Sequence, residues 1–537
     1  MNLVDPKTGA LTDDPVGCAE ILNSYFYSQF CQENKQMPEP EKCQDNKNIE
    51  VSIDGLVSLI KGLANGKSPG PDGIRKPDLL LGDVEITAAC LQKIYTASLR
   101  TGKLPDEWKL AHVTPIHKSG SKDLPNNYRP ISLTSMLCKM LEHIVLHYLN
   151  KTLNAVLHNR QHGFRKGLSC DTHLCSTYHD LAKAHDESLT THAVVLDFKK
   201  AFDKVPHSLL PQKLRQIPEI NPQIVNWVQD VITDRKQKVV IKGQCSAELP
   251  VTSGVPQGSV LGPTLFLIYI NDLPSSVDCC VSLYADDTLL YQHVKTATDA
   301  ANFQLSIDAL YNWSQRWKMS FNDNKFHAIA LGNKTFLPSY KLGNTSLEWV
   351  EETKYLGVTI QTNLKFDKHI EHKTRQASKV LGMVKFTLYD APRQACLLAY
   401  TSLCRPILEY ADSVWDPSLK KTINDIEMVQ NRAVRFISRL KGRDSVSEAR
   451  CELGLQTLQE RRKNHRLTLV TRILQAEDTH SALSSAYEEL VDDHIVTMTT
   501  RSAARGELTS ISTNSRCYHQ SFLPRTIREM RGHTSNN

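Results

Sequence analysis

Two short acidic segments have the composition of a site that handles metal-bound phosphate. In AVVLDFKKAFDKV, Asp197 ends an apolar run, and in SLYADDTLLY, Asp286 and Asp287 sit between two runs rich in Leu, Tyr and Thr. The residues before Asp197 are apolar on both faces, the pattern of a strand buried in the middle of a sheet. The second segment predicts the turn of a β-hairpin. The two lie about ninety residues apart; placed on neighbouring strands, Asp197 and Asp286 meet at one end of the sheet. Carboxylates crowded there repel one another, and hard oxygen ligands with open positions suit Mg²⁺ or Mn²⁺. Two such ions ~3.5–4 Å apart activate a hydroxyl and stabilise the leaving group of an in-line phosphoryl transfer. An Asp-Asp pair in a turn is common, so the weight of this reading rests on what surrounds it.

The elements that must carry these residues fall into a mixed pattern. The chain has 537 residues with 24 Gly and 24 Pro spread along it, which points to several domains and excludes collagenous, coiled-coil and wholly disordered classes. No apolar run approaches the ~18–20 residues of a membrane span, and no leader is recognised, so an intracellular protein, nuclear or cytoplasmic, is expected. The 14 Cys include no CxxC pair, which supports neither a zinc ribbon nor a disulfide framework.

Residues 1–50 are polar, with one amphipathic stretch at Ala19–Phe30 and a linker at Met37–Lys47, and read as an extension without a core of its own. Helices are expected at Val51–Asn65, Leu79–Leu99, Ser135–Leu149 and Thr172–His185, with a shaped loop at KSPGPDG, whose Gly and Pro forbid regular structure. Strand and helix alternate to about residue 360 and helices follow. The last sixty or so residues are weakly patterned and expected to be loose.

Charge is concentrated rather than spread. Residues 361–475 hold 21 Lys and Arg against 12 Asp and Glu, a net +9 within a chain of net +6. Within this region Ile423, Ile426, Val429, Ala433, Phe436 and Leu440 recur at helical spacing, with Arg432, Arg435 and Arg439 on another face. An Arg stripe of this kind is either a solvated face or a surface that tracks phosphates.

LDFKKAFDKV, GVPQGSVLGPTLFLIYINDL and LYADD, in that order, resemble the palm motifs of reverse transcriptases, above all those of non-LTR retrotransposons of the Jockey-like and chicken-repeat-like kind. KSPGPDGI, NYRPISL, HGFRKGLS, LSIDALYNWSQRWKMSFNDNK and KYLGVTI resemble further blocks of that lineage, and CRPILEYADSVWDP and YHQSFLPRTIREM its thumb and trailing segments.

The resemblance implies an α+β right-hand polymerase: an extension at 1–50, fingers at 51–190, palm at 191–360, a helical thumb and basic region at 361–475, and a weakly structured tail at 476–537. Asp197, Asp286 and Asp287 look like the polymerase carboxylates, Asp197 and Asp286 being the main ligands of two Mg²⁺ or Mn²⁺ ions and the Phe198 carbonyl a further one. Phe202 resembles the aromatic gate against the sugar 2′ position. Lys118 and Arg129 resemble the fingers cations that hold a triphosphate, and Gln257 the residue along the incoming nucleotide. Lys325 is a candidate general acid toward pyrophosphate, while Tyr355, Leu356 and Gly357 resemble the primer grip.

The implied function is RNA-directed DNA synthesis with an RNA template, a DNA primer or target, and dNTPs as partners. No endonuclease segment of longer relatives is recognised, so nicking is not expected. The rival reading is a non-catalytic RNA-binding derivative, whose signature would be a broken carboxylate set; none of the three is broken. An intron maturase or telomerase-like enzyme is disfavoured by the KSPGPDG loop and the ILEYADSVWDP segment.

Overall fold

The computed structural model describes residues 1–6, 8–31, 37–39, 49–322, 326–332, 336–476, 482–487 and 511–534. The expected linker at Met37–Lys47 lies outside these apart from 37–39. The chain forms two compact units, each assembled from discontinuous segments.

The first unit comprises Met1–His158, Phe198–Ser276 and Asn312–Phe321. In its sheet, Leu110–His117 pairs antiparallel with Tyr128–Leu133 and parallel with Arg235–Ile241. Leu249–Val251 and Gln244–Cys245 add antiparallel to the last of these. The single helix expected at Leu79–Leu99 is two, Lys76–Leu79 and Val84–Thr101, because Gly82 takes a positive φ and Asp83 starts afresh by capping the Glu85 N–H. The KSPGPDG loop has the shape its composition requires: Gly70 lies flat on the backbone of Thr134 and Ser135, where a Cβ would come within 2.7 Å.

One expectation is corrected here. Residues 1–31 are part of a core, not an extension: the helix Pro15–Ser28, with Asp14 as N-cap and Pro15 in its first turn, lies on the sheet. Leu3, Cys18, Leu22 and Phe26 are buried with Val113, Tyr128, Val239 and Ile241. Polar residues misled because some of them are buried too; the fully buried Asn23 amide donates to Ser246 Oγ and the Ala247 carbonyl and accepts from Gln237.

The second unit comprises Asn159–Asp197, Val277–Tyr311 and Asn322–Asn537. Its five-stranded sheet runs Glu348–Val350, His327–Leu331, Thr191–Asp197, Asp287–His293, Cys280–Tyr284, with Thr191–Asp197 in the centre, as its unbroken apolar run requires. Helix Cys170–Asp186 packs over it and is closed at its start by a capping box between Ser169 and Thr172. Helices Asp367–Thr387, Lys420–Ile437 and Leu458–Ala476 follow in the basic region.

The expected loose tail is a second correction, for residues 511–534. Arg516–His519 and Phe522–Thr534 are helices that bury Tyr518, Phe522 and Ile527. Weak apolar patterning hid them because charge does much of the anchoring. The buried Asp416 carboxylate accepts from Arg462 at 2.7 Å and Arg466 at 3.0 Å and pairs with Arg525 at 3.2 Å, and Arg466 also reaches Glu529 at 3.0 Å. A carboxylate taken out of water is tolerated only with several such partners. Among the described residues no helix is long and apolar enough to cross a membrane.

Candidate active site

The carboxylates come together within the second unit through strand register. Asp197 is the last residue of the central strand, and Asp287, the first residue of the strand beside it, is its direct partner in the antiparallel ladder. Directly opposed residues put their side chains on the same face with Cβ atoms about 4.5–5.5 Å apart, so two negative charges face each other at the sheet end. Asp286 occupies the two-residue turn Ala285–Asp286 that joins Cys280–Tyr284 to Asp287–His293. The register thus places Asp287, expected as the lesser ligand, opposite Asp197, and Asp286 in the adjoining turn. All three are part-exposed at this end. Among the described residues no group of three His, Cys, Asp or Glu side chains is arranged so that it could hold a metal ion. The donor set is hard carboxylate oxygen at an open strand end, which fits Mg²⁺ or Mn²⁺ rather than a structural metal.

The hairpin Glu352–Tyr355 and Val358–Gln361 is a second feature of this unit. Its turn residues Leu356 and Gly357 both have positive φ, and the Leu356 carbonyl accepts from the Tyr410 hydroxyl at 2.8 Å. Tyr355 is buried, unlike the turn: its hydroxyl meets His173 Nε2 at 2.8 Å. Burial, with the Asp287 charge adding to it, pushes the phenol well above its ordinary range, while burial holds the His173 imidazole well below its own. Tyr355 therefore anchors the hairpin, while Leu356 and Gly357 in its turn are part-exposed.

The expected nucleotide-handling residues lie in the first unit. Lys118 and Arg129 are exposed on the hairpin of Leu110–His117 and Tyr128–Leu133. Phe202 is half-buried, its ring stacked on Phe266 at 4.8 Å. Phe198 is buried and stacks on Phe321 at 4.7 Å. Gln257 uses its Nε2 to donate to Asp203 Oδ1 at 2.8 Å, and its carbonyl accepts from the Ser132 N–H at 2.7 Å. The loop that holds it runs against backbone: a Cβ on Gly254 would come within 2.6 Å of the Phe202 carbonyl, and one on Gly258 within 2.4 Å of the Ser132 carbonyl.

Three residues of this neighbourhood escaped the sequence reading. Lys200, in a left-handed conformation after Asp197, lies near enough to Lys118 and Arg129 that burial and their charges lower its ammonium, against the opposing pull of Asp203. Asp203 is buried, which raises its carboxyl, while the Gln257 hydrogen bond and Lys200 work the other way. The fully buried Glu142 carboxylate accepts from the Val260 N–H at 2.5 Å and from Leu261 at 3.3 Å, bracing the segment after Gln257. The KK and FD of LDFKKAFDKV were visible signals for the first two; Glu142 had none, since its partners are backbone groups over a hundred residues away.

The Arg stripe is shorter than expected. Arg432 and Arg435 are exposed on helix Lys420–Ile437, whereas Arg439 lies beyond its end at φ 51° and donates to the carbonyls of Tyr389 and Ala391. The helical spacing runs on past Ile437, but the helix stops at Ser438. Lys325 lies outside the described residues.

Residues 116–360, which hold every one of these palm residues, match the family described as "Reverse transcriptase (RNA-dependent DNA polymerase)". The chain carries a reverse transcriptase domain. The chain is 29% identical over 433 residues to the probable RNA-directed DNA polymerase from transposon BS of Drosophila melanogaster, covering 77% of this chain and 48% of that protein. The RNA-directed DNA polymerase from mobile element jockey of the same species is 29% identical over 407 residues, 72% of this chain and 44% of its own length. That of transposon X-element is 27% identical over 470 residues, 81% and 50%. The chain spans about half the length of the curated relatives it matches. An apo telomerase from Candida tropicalis covers 74% of the chain and 72% of its own at 13% identity and a TM-score of 0.38, a likeness too slight to bear on the fold.

Proposed function

We propose that the chain is an RNA-directed DNA polymerase that extends a primer 3′ end on an RNA template with dNTPs, in the nucleus or cytoplasm. The observation that supports this most is the in-register pairing of Asp197 with Asp287, with Asp286 in the next turn position, inside the matched domain. Asp197, Asp286 and Asp287, with the Phe198 carbonyl, would hold two Mg²⁺ or Mn²⁺ ions, which when bound supply activation of the 3′ hydroxyl and neutralisation of the leaving pyrophosphate.

The chain's own residues divide the remaining work. Lys118, Arg129 and the newly seen Lys200 present positive charge suited to a triphosphate. Gln257, held by Asp203, and the glycines around it allow close approach of a nucleotide, with Phe202 closing on its sugar. Leu356 and Gly357 meet the primer, and Arg432 and Arg435 track phosphates of the duplex.

The test is primer extension on poly(rA)/oligo(dT). The chain should extend with Mg²⁺ or Mn²⁺ and stop with EDTA, and Asp286→Asn should abolish extension while leaving primer-template binding within about twofold. A chain that binds RNA yet extends no primer with either metal refutes the enzyme and leaves the RNA-binding derivative. Equal loss of binding and synthesis in Asp286→Asn refutes the carboxylate assignment.

A further inference from the structure

The HGFRKGLS block has no role in the function as proposed, yet the residue before it is buried against the catalytic turn. Gln161 is 2% exposed, and its Oε1 accepts two backbone N–H groups: that of Gly163 at 2.8 Å and that of Ala285 at 2.9 Å. Ala285 is the first residue of the two-residue turn whose second residue is Asp286, and it is a buried, non-glycine residue at φ 55°. Left-handed backbone is unfavourable for alanine and persists only where the surroundings over-determine it.

A hairpin turn provides no partner for the N–H at this position, and burial removes water as a substitute. The Gln161 amide is that partner. The contact is held from both sides: Gln161 bridges to Leu283, the Leu283 N–H donates to the Arg160 carbonyl at 3.0 Å, and the His162 N–H donates to the Leu283 carbonyl at 3.0 Å. Gly163 lies so flat on the turn that a Cβ there would come within 2.4 Å of the Ala285 nitrogen. Gln161 Nε2, by contrast, is buried with no hydrogen-bond partner among the described residues. A buried amide that leaves its donor unused is costly, and here its value lies in the acceptor.

We infer that Gln161 is a positioning residue for the polymerase carboxylates: its side-chain oxygen, fixed by Gly163, holds Ala285 in a left-handed conformation and so sets where Asp286 and Asp287 stand. The inference rests on the reading of those carboxylates as the metal-binding set. It gives the Gln-x-Gly step ahead of Phe164 a physical role, with an acceptor at the first position, and at the third a residue with an N–H to orient it and no side chain to obstruct the turn.

Gln161→Met keeps the volume and removes the acceptor. Single-nucleotide addition per active molecule, with active molecules counted by burst amplitude, should fall about 100-fold with the dNTP KM within about threefold. Mn²⁺ binding, followed by the paramagnetic resonance of the free ion, should weaken about tenfold. Adding Ala285→Gly, which takes the left-handed conformation unaided, should recover at least about fivefold of the rate.

An active wild type whose Gln161→Met variant keeps its rate and Mn²⁺ affinity overturns the inference while leaving the polymerase reading intact. So does a loss confined to melting temperature and active fraction, which would make Gln161 a core residue. A double variant no faster than Gln161→Met would also overturn it. A wild-type chain that neither extends a primer nor binds Mn²⁺ refutes the polymerase reading and the inference together.

Discussion

Gly258→Ala tests whether the loop that holds Gln257 works by close backbone approach. Gly258 sits at φ 126°, where a side chain is strained whatever the space, and a Cβ there would lie 2.4 Å from the Ser132 carbonyl oxygen. An ordinary C···O contact is about 3.3 Å, so the two segments must part by about 1 Å. Backbone strain of about 1–3 kcal/mol and loss of the Ser132 N–H to Gln257 carbonyl hydrogen bond, about 0.5–1.5 kcal/mol, sum to about 2–4 kcal/mol. In a unit of this size that corresponds to about 5–15 °C in melting temperature.

The functional effect should exceed the loss of stability, because Ser132 is on the strand that carries Arg129, and Gln257 is the hydrogen-bond partner of the buried Asp203. A displacement of about 1 Å in a positioning element costs about 100-fold in kcat/KM for the dNTP. Thermal melting beside primer-extension kinetics at saturating primer-template measures both, with Gly442→Ala, which has nothing within 4 Å of an added Cβ, as the control. A Gly258→Ala protein that melts within about 1 °C of wild type and keeps kcat/KM within about twofold would refute the argument from close approach.

Phe202→Val should raise rNTP incorporation relative to dNTP at least ~10-fold, about 1.4 kcal/mol of discrimination, if the half-buried ring meets the sugar; parallel loss of both activities with a lower melting point would make its stack on Phe266 purely structural. Replacing Arg432 and Arg435 with Ala should flatten the salt dependence of duplex binding by about one unit of slope per lost phosphate contact, whereas adding Arg439→Ala should change stability more than slope, since that guanidinium already holds two carbonyls; equal slope changes for all three would refute the shorter stripe. Gly382→Ala, mid-helix with open space around the added Cβ, should stabilise by about 0.5–1 kcal/mol, read from chemical denaturation, and destabilisation would show that the position is covered. Burial lowers His162 and His369 to about 3, His192 and His207 to about 4 and His173 well below its ordinary value. The unfolded chain binds these protons from about pH 6.5 downward while the folded chain does not, so stability is full above about 6.5 and falls toward pH 4 by up to about 1.4 kcal/mol per pH unit for each histidine; a melting temperature unchanged between about pH 7.5 and 5 would contradict their burial.

The central strand and the acidic residues at its end and in the neighbouring turn were legible in the residues themselves. A run apolar on both faces has only the middle of a sheet to occupy, and acid residues between two strand-forming runs have only a turn or a strand end, so the places of Asp197, Asp286 and Asp287 followed from local pattern, whereas their reading as a polymerase set rested on the resemblance of the surrounding motifs. Gly254 and Gly258 were legible for a similar reason, because a residue without a side chain marks where backbones approach.

What the residues did not disclose depends on partners distant in sequence. Which of Asp286 and Asp287 faces Asp197 is a matter of ladder register, and one residue of slip would reverse it. The N-terminal helix and the helices at 516–534 looked like tails because their anchors, Asn23 on Ser246 and Asp416 on Arg466 and Arg525, are polar groups whose burial no local pattern reports. Arg439 left the stripe because a helix ends where its backbone finds other partners, which spacing alone does not show. Gln161 is the clearest case: an uncharged amide in a loop, it carries meaning only once folding brings it to the N–H of Ala285, over a hundred residues away, where a left-handed turn in a dry interior leaves a donor that some acceptor must meet.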